Sequence, residues 1–402
     1  LSESITGRAL KQNIISLNTV NIRDFAANNQ EWRRMSISAE IDERTLNEIY
    51  LTAFEKVVKQ AQPWTIMCSY NQINGEYSCE NKMLLTDTLR DKWGFKGLVM
   101  TDWGAMNDRV KALKAGLDLE MPSSHGETDK LIVKAVNNGS LDMETLDTAV
   151  RRILTLVDKS LISKDKHSGF KYDMEWHHAI AKETAENCAV LLKNNGALPL
   201  SKNQKIAFIG EFADKPRIQG GGSSHINCHK IDSALNSAKQ FADVTYAKGY
   251  NTDNDITDEA LLNEAVNAAK NADIAVIFAG LPDAFENEGF DRKHIDMPKC
   301  QNELIAEICK VQKNVVVVLH NGSSITMPWL DKVNAVLEMY LAGEASGAAA
   351  VNLLFGVANP SGKLAESFPL RIEDTPAYLN FPGNRDKVNY NEGIFIGYRY
   401  YD

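Results

Sequence analysis

The chain has 402 residues, 44% of them hydrophobic and 24% charged, with a formal net charge of -9. This length and composition predict two or three globular domains with a sizeable core. Basic residues are not gathered into a stripe, which argues against nucleic acid as a partner, and the acidic balance suits a neutral substrate better than a phosphorylated one.

No apolar stretch reaches the roughly 18 residues of a spanning helix, so no membrane partner is expected. The six cysteines, Cys68, Cys79, Cys188, Cys228, Cys300 and Cys309, form no C-x-x-C pair. They read as reduced structural thiols, which points to a reducing, cytoplasmic setting. No signal peptide is visible. The chain opens on Leu1-Ser2-Glu3 without Met and stops at Tyr401-Asp402, so it reads as a fragment at both ends.

Residues 1–160 alternate helical patterns with short apolar strands. Strands are expected at Asn18 to Phe25, Thr65 to Tyr70, Gly97 to Thr101 and Gly116 to Met121, with helices at Thr45 to Gln60 and Asn81 to Lys92. Alternating strands and helices predict a parallel sheet. The strands end in Asp24, Tyr70, Asp102 and Glu120. In a (β/α) barrel the carboxyl ends of the strands carry the chemistry. About four strands amount to half of an eight-stranded barrel.

Helices are then expected over Met143 to Ser160 and Trp176 to Asn194, with a polar linker over Lys164 to Lys171. From residue 198 the strands are continuous apolar runs: Lys205 to Ile209, Ile274 to Ala279, Val315 to Leu319 and Ala335 to Tyr340. Runs without alternation fit strands covered on both faces. Helices are expected between them, at Asp258 to Asn271 and Gln301 to Gln312. The predicted class is α/β: the C-terminal half of a (β/α) TIM-like barrel (1–160), a linker with a connecting helix (161–197), and an α/β sandwich domain (198–402).

Several motifs have a chemical and a plain reading. Asp102, directly after an apolar strand, can attack an anomeric carbon while Trp103 walls a sugar ring; equally, it can cap the next helix. Glu288 stands on a glycine-containing loop, where a carboxyl group can swing, or it is part of a solvated acidic loop. The amides and guanidinium of Asn28-Asn29-Gln30-Glu31-Trp32-Arg33-Arg34 can bond sugar hydroxyls or form a helix start. Tyr70, in Ser69-Tyr70-Asn71, can bond a nucleophilic carboxylate or close a turn. Gly220-Gly221-Gly222-Ser223-Ser224 raises a phosphate cradle, but it lacks the G-x-G-x-x-G spacing and no Lys-Ser/Thr pair follows, which argues against nucleotide binding. The histidines show no metal-ligand spacing, so neither a metal nor another cofactor is expected.

Taken in order, these motifs resemble glycoside hydrolase family 3, in its β-glucosidase-like branch. The resemblance also rests on Gly116-Leu117-Asp118-Leu119-Glu120-Met121-Pro122, Glu288-Gly289-Phe290-Asp291-Arg292, Asn359-Pro360-Ser361-Gly362-Lys363-Leu364 and Glu392-Gly393-Ile394-Phe395-Ile396-Gly397-Tyr398. It implies a retaining hydrolase of small β-glucosides or short oligosaccharides. Asp102 is then the nucleophile and Glu288 the general acid/base, supplied by the second domain. Arg34, Tyr70 and Trp103 line the subsite for the non-reducing sugar, and Ser223 or Ser224 reaches that sugar. The implied mechanism sets the two carboxyl groups ~5–5.5 Å apart.

Two departures stand out. The family has Lys-His-Phe where this chain has Arg23-Asp24-Phe25. Arg23 is expected to substitute in part for the Lys as a sugar ligand. Asp24 exchanges a donor for an acceptor and is expected to raise the pKa of Asp102 if it stands nearby. The family's Ser-Glu-Asp-Pro stretch is reduced to Ser2-Glu3-Ser4, and the first half of the barrel is missing. The runner-up reading is therefore a truncated or catalytically impaired relative. A half-barrel leaves uncovered strand edges, which predicts instability or a homodimer.

Overall fold

The computed structural model describes residues 21–401. Residues 18–20 of the first expected strand, and the Ser2-Glu3-Ser4 stretch, lie outside them. The chain forms two compact units. One runs to Lys171 and resumes at Pro376; the other is Tyr172–Thr375.

The first unit contains β1 (Asn21–Phe25), β2 (Ser38–Glu40), β3 (Thr65–Cys68), β4 (Gln72–Ile73), β5 (Glu76–Tyr77) and β6 (Leu98–Thr101). Strands β1, β3 and β6 lie side by side and parallel. Every residue of β3 is buried, as fits its apolar run Ile66-Met67-Cys68 after Thr65. The segment expected as a fourth strand joins β6 only through a bridge between Met100 and Leu119. The reason is Asp118. Its carboxylate takes the Val99 N–H at 2.8 Å, a donor that a continuous ladder would give to backbone. Helix Thr52–Ala61 precedes β3, and a helical segment in π register, Met83–Lys92, precedes β6.

Helices Arg109–Ala115, Glu127–Asn137 and Met143–Lys166 follow. Asp108 and Asp142 cap the first and third, each accepting backbone N–H bonds at the helix start. The third helix takes in Lys164 to Lys166, the start of the predicted polar linker. It buries Ala149 but leaves Val150, Leu154, Val157 and Leu161 exposed, an apolar stripe at alternating spacings of four and three.

In the second unit, helix Met174–Cys188 is capped by Asp173. Then come β7 (Val190–Asn194), β8 (Ile206–Ile209), β9 (Val244–Ala247), β10 (Ile274–Gly280), β11 (Val315–His320) and β12 (Ala335–Glu338). Their order is β7-β12-β11-β10-β8-β9, with only β7 antiparallel. Strands β8, β10, β11 and β12 are buried throughout. The expected helix to Asn194 is two elements. Ala189 turns to extended backbone, and Val190 to Asn194 pair with β12 instead of continuing the helix.

The chain then returns to the first unit. There β13 (Lys387–Asn389) pairs in parallel with β2, in a second sheet ordered β13-β2-β4-β5. The division at residues 160 and 197, with a sandwich running to 402, therefore differs from the observed one. Strand pairing draws residues from 172 onward into the second unit and residues from 376 back into the first.

Candidate active site

In the first unit the site is built at the carboxyl end of the β1-β3-β6 sheet. Phe25, Cys68 and Thr101 stand level across the three strands. Asp102 follows immediately and is 4% exposed. Its backbone N–H donates to the Cys68 carbonyl at 3.2 Å, so the turn after β6 is tied to the end of β3. Its Oδ1 accepts the Trp103 N–H at 2.7 Å. The helix-cap reading fails, because the next helix takes Asp108 as its cap. Trp103 is 54% exposed, available as an apolar wall.

Arg23, two residues before the end of β1, brings its guanidinium to 3.9 Å from Asp102 Oδ2. Asp24 sits at a register irregularity of β1 with φ of 59°. That left-handed geometry is one Asp tolerates better than most residues. Its Oδ1 accepts from Asn28 Nδ2 at 3.1 Å. The Arg23 guanidinium thus places a cation beside Asp102.

The neighbouring motifs divide into scaffold and surface. Ser69 Oγ donates to the Ala26 carbonyl, and Asn71 Nδ2 donates to Ala27, so this motif pins the loop after β1. Tyr70 is buried, with the Arg34 guanidinium over its ring at 4.8 Å. Arg34 also pairs with Glu31 at 2.9 Å. Gln30 donates to Trp32 and Pro382. Tyr390, next to β13, donates to the Ala27 carbonyl at 3.3 Å. Sequence reasoning missed this tie from the chain's far end, since three residues of β13 give no periodic signal.

Behind the site, Asp118 is fully enclosed. It receives Arg90 at 2.8 Å, Arg152 at 2.9 Å and the Val99 N–H. Glu120 accepts from the Thr128 hydroxyl and faces Arg109 at 3.5 Å. These two acids of the Gly116–Pro122 motif are held as structural anions. A groove of about 580 Å³ along helix Glu127–Asn137 holds none of the predicted site residues, and a cavity of about 110 Å³ holding Tyr50, Tyr390 and Glu392 is lined by Asn29 and Gln30 of the Asn28–Arg34 motif but not by Asp102, Trp103 or Glu288.

In the second unit Glu288 and Ser223 are brought together. The Ser223 backbone N–H donates to Glu288 Oε2 at 2.5 Å. Two residues earlier Glu286 has a different role. It accepts from Arg217 at 2.6 Å, from the Gly322 N–H at 2.8 Å and from the Ser323 hydroxyl, so it is a structural anion. The carboxyl ends of β11 and β12 hold two buried ionisable groups. Burial pushes the Glu338 carboxyl up to about 8, although Tyr340 N–H and Asn321 Nδ2 donate to it. Burial lowers His320 to about 4. The Asn359–Leu364 motif is a docking loop: Gly362 N–H donates to the Ala189 carbonyl at 3.0 Å.

Two family models match the chain. The glycosyl hydrolase family 3 N-terminal domain covers residues 35–156, and the C-terminal domain of the same family covers 189–398. The chain belongs to glycosyl hydrolase family 3. Among its relatives, a thermostable β-glucosidase B of Acetivibrio thermocellus is 52% identical over 95% of this chain and 51% of its own length. An exo-α-(1→6)-L-arabinopyranosidase of Bifidobacterium longum is 48% identical, over 95% of this chain and 52% of its own. The crystal structure of a family 3 β-glucosidase from Bifidobacterium adolescentis superposes with a TM-score of 0.93 at 47% identity, covering 97% of this chain and 58% of that one. The fold is therefore that of the family, a TIM-like barrel portion and an α/β sandwich. The chain spans about half the length of the curated relatives it matches.

Proposed function

We propose that this chain carries the catalytic groups of a retaining β-glucosidase acting on a small β-glucoside or short oligosaccharide. The observation that carries the reading is Asp102. It is a buried carboxylate at the carboxyl end of a barrel strand, with a cation beside it and an exposed Trp next in sequence. Asp102 attacks the anomeric carbon and forms a glycosyl-enzyme. Glu288 protonates the departing oxygen, then takes a proton from the water that releases the sugar. Trp103 walls the sugar ring, Arg23 donates to its hydroxyls, and Tyr70 and Arg34 support the floor of that subsite.

The sugar itself has a second reading. The 48% identical arabinopyranosidase favours an α-L-arabinopyranoside as an alternative terminal residue. The test is hydrolysis of paired nitrophenyl β-D-glucoside and α-L-arabinopyranoside by the chain, by Asp102→Ala and by Glu288→Gln. Turnover lost in both variants supports the reading; equal turnover by the chain and Asp102→Ala rejects it. A catalytically impaired chain would be inactive, and gain activity when Arg23→Lys and Asp24→His are introduced together.

A further inference from the structure

The Gly220-Gly221-Gly222 run has no part in the chemistry above. Nucleotide cradling fails on spacing, yet the run lies against the proposed acid/base. A Cβ on Gly221 would sit 2.1 Å from Asn287 Oδ1, and one on Gly222 would sit 2.4 Å from both Cβ and Oε2 of Glu288. Gly222 also has φ of +74°, a conformation that side chains disfavour. Gly222 therefore lets the backbone approach Glu288 more closely than a side chain there would allow, while the end of the Asn287 side chain lies against Gly221.

We propose that this loop is a positioning clamp for Glu288, in which the Ser223 N–H holds Oε2 and so fixes the orientation of the carboxyl group. The inference rests on the reading of Glu288 as the acid/base. The proton of the neutral carboxyl group passes to the leaving oxygen as the glycosidic C–O bond breaks and the Asp102 C–O bond forms. In the second step the Glu288 carboxylate takes a proton from water as the water oxygen bonds to the anomeric carbon and the Asp102 C–O bond breaks. The choice of donor matters. A guanidinium, as on Glu286, favours only the ionised form. A neutral backbone amide orients the carboxyl group in both protonation states. Gly222 is the positioning residue, since any larger residue displaces the carboxyl group it protects.

Three variants separate the parts of this device. Ser223→Ala keeps the N–H and removes only Oγ. Ser223→Pro removes the N–H. Gly222→Ala pushes the carboxyl group away. The Glu288 carboxyl is followed by carbon NMR titration in the 402-residue chain, assigned by its disappearance in Glu288→Gln. Losing an N–H donor disfavours the ionised form, so the midpoint is expected to rise by about half a pH unit or more, about threefold in proton affinity, in Ser223→Pro and Gly222→Ala but not in Ser223→Ala. Measured against Ser223→Ala, which shares any loss from the missing Oγ, kcat/KM for alkyl glucosides, which need the acid, falls about tenfold or more in Ser223→Pro, and Gly222→Ala falls likewise against the unaltered chain, while kcat/KM for dinitrophenyl glucoside changes by less than about threefold. A Ser223→Pro midpoint equal to that of the unaltered chain overturns the clamp. If Glu288→Gln itself shows no dependence on the leaving group, the acid/base reading falls and the clamp's catalytic role falls with it.

Discussion

The Arg23 guanidinium stands 3.9 Å from the Asp102 carboxylate, at the position where the family's Lys-His pair would begin. Arg23 is half-exposed while Asp102 is almost wholly enclosed. The pair is therefore a poor source of fold stability, because an exposed cation at that distance contributes about 0–1 kcal/mol. Its value lies toward the sugar. Arg23→Ala is expected to leave the melting midpoint nearly unchanged. It is expected to lower kcat/KM about tenfold, equivalent to one charge-assisted hydrogen bond of roughly 1.4 kcal/mol. Steady-state kinetics beside a thermal melt checks both halves.

Asp118 has the opposite balance. It is enclosed between Arg90 and Arg152 and also takes the Val99 N–H. Asp118→Ala leaves Arg90 buried without its counter-ion and frees a backbone donor of β6. A loss of roughly 3–5 kcal/mol in the first unit is expected, as for other broken buried pairs. Denaturant unfolding of the variant beside the unaltered chain measures it.

Glu338 and His320 give the second unit a signed pH dependence. Glu338, raised from 4.5 to about 8, binds its proton more tightly when folded. It therefore makes stability fall as pH rises from 4.5 to about 8. His320, lowered from 6.5 to about 4, stays neutral when folded, so it makes stability rise from about 4 to 6.5. Between 4.5 and 6.5 the two slopes oppose, each about 1.4 kcal/mol per pH unit. Between 6.5 and 8 only the Glu338 slope acts. Melts across pH are expected to show a near-plateau followed by a decline above 6.5. Glu338→Gln is expected to remove the decline and uncover the rise below 6.5.

The exposed stripe of Val150, Leu154, Val157 and Leu161 predicts self-association of the 402-residue chain. Sedimentation velocity is expected to show a concentration-dependent dimer, and Leu154→Lys with Leu161→Lys to shift it toward monomer. An unchanged distribution in the double variant sends the association elsewhere.

What the sequence made legible follows from burial and local chemistry. Strands β8, β10, β11 and β12 are covered on both faces, and so they read as plain apolar runs. Asp102 is legible because it follows such a run directly. Val190 to Asn194 continue a helix-like pattern, and only their pairing with β12 makes them a strand. Asp118 reads as one acid in an apolar segment; its hold on the Val99 N–H, which reduces a strand to a bridge, is tertiary. Ser69 and Asn71 flank Tyr70 in its motif, and their donors go to the Ala26 and Ala27 carbonyls, a tie between distant segments that the sequence does not announce. The approach of Gly222 to Glu288 spans residues far apart in sequence, and a glycine run alone gives no hint of its target.

Asp102 is expected to form a covalent bond to the sugar. Incubating the chain with an activated 2-deoxy-2-fluoro-β-glucoside slows release of the intermediate, and peptide mass spectrometry then locates it. One fluoro-sugar is expected on the peptide containing Asp102, and none in Asp102→Ala. A fluoro-sugar on a different carboxylate, or steady turnover of an activated glucoside by Asp102→Ala at the rate of the unaltered chain, would contradict it.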